Sequence, residues 1–183
     1  GGYEALHRSL RRQRQMCIRV SHYAIIYLAP TPKLGITMSD YKYVLLEKDP
    51  VEHIARLTIN RPDRRNALTD AATEEMGRAL EDVADDDNMR VLILTGAGGS
   101  FCAGADLNTL KGGSDPGVLT SENSDDIRRG FRGPHKMILA VQRMEKPVIA
   151  MIDGTAVGAG FDMACACDIR IATTKARFMV AYI

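Results

Sequence analysis

The chain has 183 residues, 45% of them hydrophobic, and a formal net charge of +1, which suffices for one domain with a packed core. Of its 24 basic and 23 acidic residues, six basic residues (Arg8, Arg11, Arg12, Arg14, Arg19, Lys33) and one acid (Glu4) fall within 1–37, so 38–183 carry 18 and 22, a net of −4. A mildly acidic globular part argues against nucleic acid as a partner, and no segment reaches the run of about 18 apolar residues of a membrane-spanning helix.

The first 37 residues begin Gly-Gly, are rich in arginine, and hold an apolar stretch over 23–29 that Pro30 and Pro32 interrupt. Arg-rich, acid-poor composition fits a mitochondrial transit peptide. The simpler expectation is that Met38 opens the native protein and that 1–37 are a leader, non-native or disordered. The domain then spans 38–183 and is expected in the cytoplasm, or in the mitochondrial matrix if the leader is genuine.

From Met38 onward the elements alternate. Strands are expected over 42–47 and 53–59, joined by a hairpin at Asp49-Pro50. Thr69-Asp70 can cap a helix over 71–83, where Ala72, Met76 and Leu80 repeat at i, i+4, i+8. The acidic run 82–87 reads as a solvated helix end. An apolar strand over 90–95 leads into Gly96-Ala97-Gly98-Gly99-Ser100, and a helix is expected over 106–111. The polar stretch 112–126 reads as a mobile flap, and Met137, Ala140, Val141 and Met144 give 127–144 the apolar stripe of a helix. Strands are expected at 147–152 and 168–172, with a compact helix between them beginning near Ala159. Such alternation defines an α/β protein.

Two turns carry candidate chemistry. In one, the strand at 147–152 runs through Asp153-Gly154 to Gly158, Ala159 and Gly160, with Asp162 in the first turn of the following helix. Unpaired N–H groups at a helix start suit an oxyanion or phosphate. In the other, strand 90–95 runs through glycines to Phe101-Cys102-Ala103-Gly104-Ala105-Asp106-Leu107. One N–H from each turn can meet a single carbonyl oxygen, and a nearby carboxylate can then move protons. A tight strand-to-helix turn with an acid in its first turn needs no ligand, so the residues alone leave both readings open. The spacing of Gly154, Gly158 and Gly160 is not the G-x-G-x-x-G of a dinucleotide-binding loop. Cys17, Cys102, Cys165 and Cys167 show no metal-ligand spacing, and buried free thiols are the expectation.

Four blocks together resemble the crotonase superfamily of enoyl-CoA hydratases and isomerases: Ile59-Asn60-Arg61-Pro62 with Asn66-Ala67-Leu68; Ser100 through Leu107; Lys146-Pro147-Val148-Ile149-Ala150 with Asp153-Gly154; and Gly158-Ala159-Gly160 through Cys167-Asp168-Ile169-Arg170-Ile171-Ala172. The likeness covers about 40–183. It implies a crotonase-like (ClpP/crotonase) spiral of ββα units, incomplete at the C-terminus, and an unsaturated acyl-CoA thioester as substrate. Under it Ala105 and Ala159 would supply the oxyanion-hole N–H groups, and Asp162 the acid/base. Arg65, Ala67, Ala103, Asp106, Leu107 and Gly158 would line the substrate site, with Arg64 an alternative to Arg65 at the coenzyme A phosphates. No separate cofactor is implied, coenzyme A being part of the substrate, and no metal. The full-length form is expected to be a homotrimer or hexamer.

Departures bear on the reaction. Hydratases of this family carry two glutamates; the first position here is the shorter Asp162, which is similar to certain dienoyl-CoA isomerases, and the second is Tyr182. Hydration or isomerisation through an enolate is the expected activity, with a non-catalytic acyl-CoA binder or inactive fragment as the alternative. Ile183 falls inside the expected second catalytic loop, so little activity is expected of the chain alone.

Overall fold

The computed structural model describes residues 16–20, 37–39, 41–106 and 132–181, with side chains for 39, 41–106 and 132–181. Expectations that fall elsewhere (the helix over 106–111 beyond Asp106, the flap at 112–126, the start of the helix at 127, and the roles of Leu107 and Tyr182) lie outside the described residues.

Nine strands appear among them: β1 (Met16–Val20), β2 (Thr37–Met38), β3 (Val44–Asp49), β4 (Ile54–Ile59), β5 (Val91–Gly96), β6 (Val148–Ile152), β7 (Thr155–Val157), β8 (Ile169–Thr173) and β9 (Arg177–Met179). Three helices accompany them: α1 (Asp70–Asp85), α2 (Arg132–Arg143) and α3 (Ala159–Ala166). Seven strands form one sheet in the order β1-β8-β6-β5-β4-β3-β2, while β7 and β9 pair in a second, smaller sheet. From β4 to β1 the large sheet is parallel, whereas β2, β3 and β4 are antiparallel. The β3–β4 hairpin closes at Asp49, whose Oδ1 accepts from Val51 N–H and Glu52 N–H, both at 3.0 Å, as an aspartate-centred turn does.

Alternation decides the buried face. Ala55, Leu57 and Ile59 on β4, Leu92 and Leu94 on β5, and Val148, Ala150 and Ile152 on β6 are all fully buried, at the period of two that a strand imposes. Helix α1 lays Ala72, Met76, Ala79, Leu80 and Val83 into this core, and packs against α2, which in turn meets α3. The Thr69 hydroxyl caps α1 by accepting from Ala72 N–H at 3.2 Å. Observed bounds differ from those expected by at most two residues at the described strand and helix ends, where period says least.

Met16–Val20, ahead of Met38, forms β1, paired in parallel with Ile169–Thr173 at the sheet edge. One expectation is revised: the acidic run at the end of α1 is not simply solvated. Lys48 pairs with Asp82 at 2.9 Å and Asp86 at 2.8 Å. Lys146 Nζ donates to the carbonyls of Val83, Ala84 and Asp86 at 2.6, 2.9 and 2.7 Å. A cation at the carbonyl end of a helix satisfies orphan acceptors and complements the dipole.

The Lys48 ammonium, with the Asn88 N–H behind it, holds the Asp86 carboxyl below its ordinary value. A carboxyl depressed in the folded chain contributes stability above its unfolded pKa and loses it as pH falls through the folded value. Lys48→Met is therefore expected to cost about 0.5–1 kcal/mol at pH 7 and progressively less as the pH falls and the carboxyl protonates, measured by urea denaturation. A cost that does not change as the pH is lowered would mean that packing, not charge, is what Lys48 contributes.

Candidate active site

Beyond β4 the chain turns through a short 3-10 segment, Pro62–Arg64, and then through two left-handed residues, Arg65 (φ 50°) and Asn66 (φ 59°). Asparagine tolerates that conformation because its carboxamide can bond locally. Asn66 is completely buried. Its Oδ1 accepts from Arg61 N–H at 2.9 Å, and its Nδ2 donates to the carbonyls of Ala97 and Ser100 at 2.8 and 2.6 Å. One side chain thus ties the 61–66 turn to the glycine-rich turn after β5.

Segment 102–106 threads between that knot and β7. On one side Cys102 N–H donates to Thr155 O and Val157 N–H to Cys102 O, both at 2.9 Å; on the other Ala103 N–H donates to Arg65 O at 3.0 Å. Leu68 N–H then donates to Gly104 O at 2.7 Å, and Asp106 N–H to Leu68 O at 2.8 Å. A trans peptide points its C=O and N–H in opposite directions. With Gly104 O turned to Leu68, the Ala105 N–H points away from Leu68, to the side of β7 and α3. Gly104 makes this peptide orientation possible with φ of +88°, and a Cβ there would stand 2.8 Å from Val157 O and 3.7 Å from Ala159 N.

The second donor comes from α3. Gly158 O accepts from Asp162 N–H at 3.0 Å, so the Ala159 N–H points out of the helix start, opposite to that carbonyl. Covalent geometry carries the 3.7 Å approach over to the two nitrogens, of Ala105 and Ala159, which lie no more than about 7.5 Å apart. Two N–H groups each about 2.9 Å from one oxygen stand at most about 5.8 Å apart, a separation that this upper bound allows without fixing it. Gly160 sets how closely α3 meets segment 102–106, since a Cβ on it would fall 2.4 Å from Cys102 O.

At the far end of α3 Arg170 is buried, and its guanidinium donates to the carbonyls of Ala164, Cys165, Cys167 and Asp168 at 2.9, 3.3, 2.6 and 3.3 Å. Burial pushes the Cys102 and Cys167 thiols up to about 12, so both stay protonated, and Cys167 Sγ donates to Met163 O at 3.2 Å. Burial also raises the Cys165 thiol, and the nearby Asp162 carboxylate adds to that rise.

The expected site residues among those described fall into four groups. Ala105 is exposed, while Ala159 and Asp162 are half-buried around the same approach. Ala67, Ala103 and Gly158 shape the backbone: the Ala67 carbonyl accepts from Arg61, and Gly158 N–H is engaged by Met179 O at 3.0 Å. Arg65 leaves its side chain exposed, as does Arg64, 3.7 Å from Asp63. Asp106 is buried with its carboxylate 3.0 Å from Arg61 Nη2. The structural parts played by Arg61, Arg170 and Lys146 were not foreseen. Their presence in the four sequence blocks was the available signal.

A large, mostly parallel sheet packed by helices, with a small second sheet beside it, is the arrangement of a crotonase-fold protein. The family model described as enoyl-CoA hydratase/isomerase matches residues 50–183. The chain is 39% identical over 145 residues to "Probable enoyl-CoA hydratase echA14" of Mycobacterium tuberculosis, covering 77% of this chain and 51% of that protein. It is 36% identical over 149 residues to the peroxisomal Delta(3,5)-Delta(2,4)-dienoyl-CoA isomerase of Arabidopsis thaliana, covering 79% and 54%. The crystal structure of an enoyl-CoA hydratase/isomerase from Xanthobacter autotrophicus Py2 superposes with a TM-score of 0.68 at 30% identity, covering 75% of this chain and 48% of that one. The chain belongs to the enoyl-CoA hydratase/isomerase family and spans about half the length of the relatives it matches.

Gly104→Ala forces a Cβ against Val157 O at a left-handed position and is expected to cost about 2 kcal/mol or more in chemical denaturation. Gly77→Ala, in α1 with nothing within 4 Å of the added Cβ, should instead stabilise by about 0.5–1 kcal/mol. Similar shifts from both would show that segment 102–106 is not held as described.

Proposed function

We propose that this chain carries the acyl-CoA-binding and enolate-stabilising part of an enoyl-CoA hydratase/isomerase-type enzyme. The observation that carries the reading is the fixing of two carbonyls, Gly104 O by Leu68 N–H and Gly158 O by Asp162 N–H, which points the Ala105 N–H away from Leu68 and the Ala159 N–H out of the start of α3. A thioester carbonyl seated there would hold negative charge. Removal of a proton from the carbon beside it drives the bonding pair into the carbonyl, and two N–H groups stabilise the resulting enolate oxygen. Loss of one such donor typically costs about 3–4 kcal/mol of transition-state stabilisation.

Asp162, in the first turn of α3, is the group we assign to the proton. One carboxylate is enough to take and return a proton along the acyl chain, which is isomerase chemistry; hydration asks for a second group to activate water. The kinship with both hydratases and a dienoyl-CoA isomerase leaves both outcomes within the family. A homotrimeric or hexameric assembly of the whole protein, with coenzyme A present only as part of the substrate, belongs to the same proposal. The second reading, an acyl-CoA binder without turnover, is favoured by the tyrosine at 182 where the family pattern has a glutamate.

Exchange of acyl-CoA α-protons in deuterated water, followed by NMR, reads proton removal without requiring hydration. Exchange asks only for proton removal and not for net turnover; the chain is expected to catalyse it, and Asp162→Asn to slow it about 100-fold or more while affinity changes less than about threefold. Binding without exchange would move the assignment to the binder; neither binding nor exchange would end both readings.

A further inference from the structure

Arg61 sits where the two strands that orient the Ala105 amide meet. Its side chain is 14% exposed, and the carboxylate it faces, Asp106, is 9% exposed. One arm of the guanidinium, Nη1, donates to the Ala67 carbonyl, and the other, Nη2, reaches Asp106 Oδ2 at 3.0 Å. Ala67 and Asp106 each neighbour a partner in the Leu68–Ala105 bridge, whose two hydrogen bonds hold the peptides on either side of Ala105. The guanidinium therefore closes the ladder from its open end, bonding both strands at once. The Tyr43 ring lies 5.6 Å from the guanidinium carbon, and the Tyr43 N–H donates to Glu75 Oε2 on α1 at 2.6 Å, so the clasp is anchored to the core layer.

We infer that Arg61, through its fork to Ala67 and Asp106, is a positioning residue that fixes the direction of the Ala105 N–H toward a bound thioester oxygen. This rests on the oxyanion reading of Ala105 and Ala159 proposed above. A planar guanidinium can span two acceptors in a fixed geometry; an ammonium of similar charge cannot, because its donors radiate from one nitrogen. Removal of either end of the pair frees the 104–106 peptides to swing, and misplacement of a catalytic group by about 1 Å can cost on the order of 10²-fold. The Asp106 carboxylate thereby acts on the ligand through the amide beside it.

The test compares two ligands on the chain as it is: a saturated acyl-CoA, and its thioether analogue with CH2 in place of the carbonyl. Calorimetry gives both affinities, and an isotope-edited infrared spectrum gives the shift of the bound thioester carbonyl stretch. The unaltered chain is expected to prefer the thioester by about tenfold or more and to lower its carbonyl frequency. Arg61→Lys, Arg61→Met and Asp106→Asn should each bring that preference to within about twofold of unity and abolish most of the frequency shift, while thioether affinity moves less than about threefold. Arg61→Lys retains charge and most of the volume, and Asp106→Asn retains shape, so loss of folding in Arg61→Met leaves two variants that decide. If the unaltered chain shows no thioester preference, the oxyanion reading fails and the role of Arg61 fails with it. If that preference and shift exist and survive in the folded variants, the positioning role alone is overturned.

Discussion

The bond from Leu68 N–H to Gly104 O, 2.7 Å long, fixes more than one contact. A peptide unit is rigid and trans, so a partner for its carbonyl settles where its N–H points. With the 104–105 unit bonded toward Leu68, the Ala105 N–H points away from Leu68. The same logic governs the other arm, since Asp162 N–H on Gly158 O fixes the Ala159 donor. Both directions follow from backbone pairing, and the alanine side chains contribute only by being small. The candidate site is thus built from main chain, and side chains matter where they hold that main chain in place.

Three cations do much of this holding, and each binds carbonyl oxygens. Arg61 takes Ala67 O together with Asp106, Arg170 takes four carbonyls at the end of α3, and Lys146 takes three at the end of α1. Orphan carbonyls at helix ends must find donors or water. A helix of eight residues such as α3 is marginal in isolation. With its C-terminal carbonyls held by a buried guanidinium, α3 can keep its N-terminal amides in a constant place. Burial of a positive charge costs desolvation; here it is offset by four carbonyl contacts and by the negative end of the helix dipole.

Much of this is legible in the sequence. Strands β4, β5, β6 and β8 and helix α1 announced themselves by periodicity, because burial on one side imposes a period of two or near 3.6. The Thr69 cap and the start of α3 near Ala159 followed from local chemistry that is readable in four or five residues. The arms carrying Ala105 and Ala159 followed from the two glycine-rich turns and the family likeness. The clasps were not legible. Arg61 reaches Asp106 across 45 positions and Lys146 reaches the end of α1 across about 60, and no local pattern encodes which carbonyl a long flexible cation will meet. Likewise β1 was hidden, since its apolar residues alternate with Cys17 and Arg19 in an arginine-rich stretch, and its pairing with β8 is set by a strand some 150 residues away.

The two arms also constrain each other. Gly160 brings α3 so near Cys102 that an added Cβ would fall 2.4 Å from its carbonyl, and Gly104 approaches Val157 just before the helix begins. Cys102 is itself bonded on both sides of its peptide to β7, through Thr155 O and Val157 N–H. A displacement of α3 therefore presses on the segment that bears Ala105, and a displacement of that segment presses on α3. Close packing turns such contact into stiffness, because atoms already touching have little room to absorb a shift. Preorganised donors stabilise developing charge in proportion to how little they must reorient when it appears. Small residues at 104 and 160 thus serve the same end as the arginine clasps: they lock the separation of two amides that arise more than fifty residues apart.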